Sequence, residues 1–431
     1  MKRVLIITYY WPPSGGAGVQ RWLKFSKYLP ESGWQPVIYT PENQEAPVED
    51  HSLLKDIHPE AEVIRRPIWE PYSFYKRFLG ISGREKVNAG FLSENKKPGT
   101  REKLAVWIRG NLFIPDARKF WIRPSVRYLA KYLLQHPVDV ILSTGPPHSM
   151  HLIGKKLKEK TGIPWVADFR DPWTGIDYYD QLRLTRCSDR KHRTMERAVL
   201  KKADRVVVIG RNMAKEFRRI AGVQAEVVPN GFDEEDFEGV EGRHTDTFTI
   251  LHVGAMNRDR NHEAFWKAAA AVISKHQLSP GQFRIRLIGK LDHAVIRSLE
   301  KNRLSAYTET TPYMEHNRIA EELRSASLLY LPVNNTPNAK GIATGKIFEY
   351  LAAGRPVLGV GPVDGDAADI LKKSKAGTML DFTDHEGIFN SIVKIWHTPE
   401  QGTMLDASAM NQYTRRSLTT KISNILDNCT E

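Results

Sequence analysis

Short apolar runs recur along this 431-residue chain, separated by stretches long enough to hold a helix, and each run is continuous instead of alternating. The first covers 4–7 (Val4, Leu5, Ile6, Ile7); others lie at 37–39, 138–142, 165–167, 206–209 and 227–228. A strand that is apolar at every position has to be covered on both faces, as in a parallel sheet between two layers of helices. A polar, acidic, glycine-containing break follows over 232–247. The rhythm restarts at 248–253 and continues at 285–288, 328–331 and 356–360. Alternation of strand and helix, interrupted once, predicts two doubly wound α/β domains. The length agrees, because a chain of this size exceeds what one core holds. We expect a first domain over 1–240, a second over 241–408, and a C-terminal helix over 409–431 that can return to the first domain. Ligands of such sheets bind outside the carboxyl ends of the strands.

Three clusters of residues fall at such ends. Ser14-Gly15-Gly16-Ala17-Gly18 joins the first strand to the first helix. Glycines there let backbone N–H groups approach a phosphate, and the helix start adds a favourable dipole. A tight turn requiring positive φ explains the same residues equally well. The second cluster is a small-residue loop, Gly341-Ile342-Ala343-Thr344-Gly345, followed by a helix starting near Lys346, with Gly354 as its cap. Lys346 and Glu349 are spaced i, i+3 and share one face. The cation suits a diphosphate and the carboxylate suits ribose or sugar hydroxyls; an ordinary ion pair at a helix start is the bland alternative. Third, Asp168-Phe169-Arg170-Asp171 follows the run at 165–167, so two carboxylates flanking Arg170 stand where they could steer an acceptor hydroxyl. Asp171 could instead cap a helix or pair with Arg170. His148 and His151 are three apart with no Cys or carboxylate at ligand spacing, which argues against metal. They either line an acceptor pocket or are ordinary histidines at a helix start.

The chain resembles the family-4 type of retaining glycosyltransferase with the GT-B fold. The resemblance rests on Tyr9-Tyr10-Trp11-Pro12-Pro13-Ser14-Gly15-Gly16, Ser143-Thr144-Gly145-Pro146-Pro147-His148, Asp168-Phe169-Arg170-Asp171-Pro172-Trp173, Val228-Pro229-Asn230-Gly231-Phe232-Asp233 and Gly345-Lys346-Ile347-Phe348-Glu349, continuing through Val357. These stretches occur in family order and cover nearly the whole chain. The resemblance implies two Rossmann-like domains facing across a cleft and a nucleotide-sugar donor, with no cofactor and no metal. It places Gly15 and Gly16 against the donor diphosphate, Glu349 on the donor ribose, and Thr344, Gly345 and Lys346 near the phosphates. It makes Asp171 the catalytic acceptor-side residue, with Arg170 and His148 beside it. Tyr313 falls in a segment where relatives touch the base. Two departures stand out. The family's first donor-site glutamate would occupy position 341, which is Gly341, and no residue is assigned its role. The arginine expected directly after Gly254 is replaced by Ala255, leaving Arg258 and Arg260 as the cations that can reach a diphosphate.

Charge narrows the choice of partners. The formal net charge is +13, and 76–131 holds fourteen Lys/Arg against four Asp/Glu, or +10 of that total. One local basic surface is therefore expected rather than a general affinity for acidic partners. Its cations are interleaved with Phe78, Leu79, Phe91, Trp107, Ile108, Leu112, Phe113, Phe120, Trp121 and Ile122. Rings beside cations suit an anionic membrane surface and a glycan or lipid-linked acceptor; they suit equally a first-domain core with a solvated face. No nucleic-acid signature is present. Cys187 and Cys429 are the only cysteines, which argues for a reducing compartment without disulfides. No apolar run reaches the length of a membrane span, and we expect a cytoplasmic protein, peripheral at the inner face of the cell membrane. Two rival functions share these features: a hydrolysing sugar-nucleotide epimerase of the same architecture, and a non-enzymatic basic protein of the membrane surface.

Overall fold

The computed structural model describes residues 1–44, 49–71, 100–312, 314–398 and 407–431; Phe78, Leu79, Phe91 and Tyr313 lie outside them. The chain divides into two compact units, Met1–Pro229 with Leu418–Glu431, and Asn230–Ser417. The division thus falls ahead of residue 240, and the C-terminal return starts later than 409. Packing explains the position: Val228 still belongs to a core of the first unit, whereas Phe232 and Phe237 already belong to one of the second.

In the first unit, β1 (Lys2–Ile7), β2 (Trp34–Pro41), β3 (Glu62–Arg66), β4 (Val140–Gly145), β5 (Trp165–Phe169), β6 (Arg205–Val208) and β7 (Glu226–Val227) form one sheet in the order β3-β2-β1-β4-β5-β6-β7. Every pairing in it is parallel. The continuous apolar runs are explained by its two faces. Leu5 and Ile7 of β1 pack into one hydrophobic cluster and Val4 and Ile6 into another on the opposite side. Helices α1 (Ala17–Tyr28), α2 (Thr100–Leu112), α3 (Lys119–Gln135), α4 (Ser149–Thr161), α5 (Arg186–Lys202) and α6 (Arg211–Ala221) connect the strands.

The second unit repeats the plan. Strands β8 (Phe248–Val253), β9 (Phe283–Ile288), β10 (Thr308–Thr311), β11 (Leu328–Pro332), β12 (Val357–Val360) and β13 (Gly377–Leu380) pair in parallel in the order β10-β9-β8-β11-β12-β13. Again one strand feeds two cores: Leu251 and Val253 of β8 pack on one side, Phe248 and Ile250 on the other. The helices are α7 (Glu263–His276), α8 (His293–Lys301), α9 (His316–Ser325), α10 (Gly345–Ala353), α11 (Asp366–Ser374), α12 (His385–His397) and α13 (Ala407–Asn411). In each sheet the chain reverses direction of winding at one point, between β1 and β4 and between β8 and β11, and ligands bind at such points.

The last helix, α14 (Arg415–Asp427), carries the chain back. Leu418, Ile422, Ile425 and Leu426 are buried in the same cluster as Val4 and Ile6 of β1. Removing the side chain of Ile422, which is 1% exposed, leaves a cavity in that cluster. Ile422→Ala should lose about 2–4 kcal/mol in urea denaturation, while Leu134→Ala, at an exposed position, should change stability by about 0.5 kcal/mol or less.

Candidate functional site

Within the first unit, the expected residues gather at the carboxyl ends of β1, β4 and β5. Gly16 is the exposed N-cap of α1 with φ +91, a value that favours glycine, and a side chain there would meet no neighbouring atom. Backbone conformation, then, is what the position demands. Gly15 is buried beside it. Gly18 is crowded: a Cβ would lie 3.0 Å from the Tyr10 ring and 3.2 Å from Arg170 Nη1.

The carboxylates of 168 and 171 separate into two roles. Asp168 is fully buried and was expected to help steer an acceptor; it does not reach solvent. Its Oδ1 accepts from Arg21 Nη2 at 2.7 Å, and its Oδ2 accepts from Trp22 Nε1 at 2.7 Å and from Thr144 Oγ1 at 2.8 Å. Arg21 Nη1 also donates to the carbonyl of Pro229 at 2.9 Å. Burial raises the Asp168 pKa, but Arg21, Trp22 and Thr144 together outweigh it and hold the carboxyl below its ordinary range. Asp168 therefore anchors α1 to β4 and β5.

Asp171, in contrast, is exposed, and no hydrogen bond or ion pair engages it among the described residues. Although water reaches it, the protein behind it limits hydration and pushes its pKa up to about 6; Arg170 opposes that rise and Asp177 adds to it. Arg170 points elsewhere. Its Nη1 donates to the carbonyl of Gly18 at 2.8 Å and its Nη2 to the carbonyl of Pro146. The guanidinium expected beside an acceptor is a clamp between the glycine loop and the turn after β4.

His148 is 8% exposed and stacks flat on Trp173, with centroids 4.6 Å apart. Burial and the neighbouring His151 hold it neutral, its pKa well below the usual histidine value. His151 is fully buried, its Nδ1 3.0 Å from Ser143 Oγ. Both histidines belong to an aromatic wall with Phe169 and Trp173. None of the expected site residues takes part in a group of three metal-ligating side chains among the described residues.

In the second unit, α10 begins at Gly345, one residue before the expected start, and ends at Gly354 with φ +72. Thr344 is its N-cap and makes no side-chain capping bond. Lys346 Nζ donates to Glu349 Oε2 at 2.8 Å, so the expected pair is formed. Neither group is used up: an ammonium has three donors and a carboxylate two oxygens. The helix is pinned to the sheet by Tyr350, whose hydroxyl accepts from the amide of Val253 at 2.9 Å. Arg260 spends its Nε on Asn334 Oδ1 at 2.6 Å and its Nη1 on the carbonyl of Ala255 at 2.8 Å. It braces the ends of β8 and β11, while Arg258 stays exposed.

The sequence reading missed a second basic surface. Arg186, Arg190, Arg193, Arg197 and Lys201 are exposed along one face of α5, spaced i, i+4, i+7, i+11, i+15. Asp189 and Glu196 on the same helix, and acidic segments elsewhere, hide them in a sum over the rest of the chain. The helical spacing is the signal that would have found them.

Removing Arg21 would strand the Asp168 charge. Arg21→Met should lose about 3–5 kcal/mol near neutral pH. In the wild type the stabilisation by Asp168 exists above the unfolded carboxylate value, ~3.9, and disappears as pH falls through its lower folded value. In the variant the carboxyl has a raised folded pKa, so its penalty should grow as pH rises from about 4 to 7, as urea titrations across that range would show.

The model of the glycosyl transferase 4-like domain matches residues 15–231, and that of the glycosyl transferases group 1 matches 247–398. The chain has no significant match among curated proteins. Among solved structures, it is similar to the sucrose-phosphate synthase of Thermosynechococcus elongatus, with 14% identity, 99% of each chain covered and a TM-score of 0.64. WaaG, a glycosyltransferase involved in lipopolysaccharide biosynthesis, shares 14% identity over 98% of this chain and 99% of its own, at 0.60. A TarM variant of S. aureus, solved with fondaparinux, α-GlcNAc-glycerol and UDP, shares 10% over 99% and 100%, at 0.60. Two Rossmann-like units of the GT-B architecture are thus the fold of this chain.

Proposed function

Because the chain belongs to the glycosyl transferase 4-like family and is a glycosyltransferase, we propose that it moves a sugar from a nucleoside diphosphate sugar to a hydroxyl of a glycan or lipid-linked acceptor. Retention of anomeric configuration, and a place in cell-surface polysaccharide or glycolipid synthesis, belong to the same reading. The observation that carries it is the start of α10, where an uncapped helix end, Lys346 and Glu349 stand together at the carboxyl side of the sheet. The UDP in the TarM complex is a ligand of the kind such a group suits.

Bond cleavage at the anomeric carbon leaves negative charge on the departing diphosphate and an oxocarbenium-like sugar. The remaining Lys346 donors, the amides of Gly345 and Lys346, and Arg258 stabilise that charge without a metal or cofactor. The second Glu349 oxygen accepts from ribose hydroxyls. Taken by itself, the first unit offers amides at Gly15 and Gly16 that suit a phosphate, and an ionised Asp171 that accepts a hydrogen bond from an acceptor hydroxyl. Arg170 and His148 serve this side indirectly, by holding the glycine loop and backing Trp173.

Lys346→Ala and Glu349→Ala should each weaken donor binding or transfer about 10- to 100-fold, the loss expected of a charge-assisted hydrogen bond, with melting temperature unchanged. Activity should persist in EDTA. Wild-type donor affinity in both variants, or full loss on chelation with rescue by manganese, would reject this donor site.

The raised pKa of Asp171 gives the reaction a sign in pH. Its carboxylate is ionised only above about 6, so transfer should fall as pH drops through that value. Asp171→Asn should be slow at every pH and lack this limb; a variant that keeps it shows that another group titrates.

We place the acceptor at an anionic membrane surface. No helix among the described residues is long and apolar enough to cross a membrane, but the first unit exposes Trp69, Leu104, Trp107, Leu112 and Phe120. Trp69 and Phe120 touch edge to face at 4.9 Å, and the Lys119 ammonium lies 5.0 Å from the Phe120 ring. Trp121 and Ile122, expected on this surface, are instead core residues. Asn111 bonds the end of α2 to the backbone of Arg183 and Thr185, which leads straight into the basic face of α5. Cations near an anionic bilayer contribute about 1 kcal/mol each. Cosedimentation with liposomes should require anionic lipid, weaken with salt, and drop when Arg186, Arg190 and Arg197 become Glu; equal binding to neutral vesicles would remove the membrane from the proposal.

A further inference from the structure

One of the buried polar atoms that the donor-side reading leaves unused lies beside Lys346. His252 is the next-to-last residue of β8 and is 3% exposed. Its Nδ1 lies 3.1 Å from the carbonyl oxygen of Tyr330 on β11. The Tyr350 hydroxyl stands farther from the same nitrogen, at 3.4 Å; the nearer carbonyl oxygen can only accept, so Nδ1 carries the proton, and the other nitrogen of a neutral ring is a bare lone pair. The ring is neutral: burial lowers its pKa to about 3, the backbone of Tyr330 and, more weakly, that of Gly254 oppose this, and Arg260 and Lys346 reinforce it. Nε2 has no hydrogen-bond partner. Buried acceptors without a donor are uncommon and costly, which makes this one a feature to be explained.

The direction of Nε2 supplies the explanation. A methyl group placed on Gly254 would lie 3.7 Å from His252 Nε2 and 3.9 Å from Lys346 Cε, with no atom nearer. The space in front of Gly254 is therefore bounded by a lone pair on one side and the stem of the Lys346 side chain on the other. Gly254 has φ +134, a conformation that keeps this position free of a side chain. The two walls differ in what they attract. An ammonium takes phosphate oxygens. A fixed lone pair repels them, because a diphosphate near neutral pH offers acceptors, and it welcomes an O–H donor.

We propose that His252 selects the donor by accepting, at Nε2, a hydrogen bond from one hydroxyl of the nucleotide sugar, on either its ribose or its hexose. This rests on the nucleotide-sugar reading above. A site built to accept one hydroxyl discriminates against the analogue that lacks it, since the buried lone pair then goes unmet.

Isothermal titration with UDP, GDP, UDP-glucose and GDP-mannose, each run in two buffers of different ionisation enthalpy, tests the assignment. His252→Asn keeps a donor for the Tyr330 carbonyl and deletes the acceptor. It should keep the wild-type melting temperature and bind the preferred ligand roughly five- to tenfold more weakly. The 2′- and 3′-deoxyribose analogues separate the two sources. If the ribose hydroxyl is read, wild type and variant bind the matching deoxy nucleotide alike. If a hexose hydroxyl is read, the loss appears with the nucleotide sugar and not with the free nucleotide. The difference in binding enthalpy between the two buffers should be the same for wild type and His252→Asn, because a neutral lone pair takes up no proton. Should the Asn variant not fold, His252→Gln, which keeps an acceptor at that reach, should bind more tightly than His252→Met, which does not. Equal affinity of wild type and variant for every ligand, or a buffer dependence of the enthalpy that is present in the wild type and lost in His252→Asn, which would reveal proton uptake at this ring against phosphate, overturns the role of His252 while leaving the transferase reading intact. Failure of all four ligands to bind the wild type overturns both.

Discussion

The elements that carry the first unit's site depend on the buried ion pair of Arg21 with Asp168. Arg21 and Asp168 are 1% and 0% exposed, and burying two charges in this way is favourable only when all their remaining hydrogen-bonding capacity is met. Here it is met by Trp22, Thr144 and the carbonyl of Pro229. The partners come from α1, β4, β5 and the end of the unit, so satisfying the charges fixes these elements relative to one another. The glycine loop precedes Arg21 on the same helix and is held a second time by Arg170. What looks in the chain like a flexible glycine-rich connection is a backbone with few options left.

The second unit reaches comparable rigidity with neutral groups. Tyr350 links α10 to the amide of Val253, and the His252 ring links β8 to β11. Arg260 closes the same gap from above through Asn334. Because these ties involve residues buried or turned inward, Lys346, Glu349 and the start of α10 remain facing outward on a framework that does not move with them. Gly289 completes the framework: its φ is +133, and any side chain would run into the carbonyl of Gly254.

Much of this plan is visible in the chain before any coordinates, and the gaps have a common cause. Central strands such as β1 and β8 feed two cores each, so all their positions are apolar and the run stands out. Strands β3, β10 and β13 went unread; all three are sheet edges, where burial is partial and Glu62, Arg65 or Thr310 is tolerated. The pairing of Lys346 with Glu349 follows from spacing alone. The split between Asp168 and Asp171 does not, because it depends on Arg21, which is 147 positions away in the chain from Asp168. His252 was hidden inside a run noticed only for its apolar neighbours.

The return of α14 has a consequence for how the protein is made. Residues 1–229 emerge first from the ribosome, yet the cluster around Val4 and Ile6 lacks Leu418, Ile422, Ile425 and Leu426 until the very end. The intervening residues 230–417 take on the order of ten to forty seconds to synthesise at ordinary elongation rates. During that interval the second unit, continuous in sequence, can complete its fold, while one face of the first sheet, covered only in part by α1, waits for its last helix. A newly started chain of this kind carries its own delay, and an early stop or a fused tail near residue 418 would act on the half of the protein translated first.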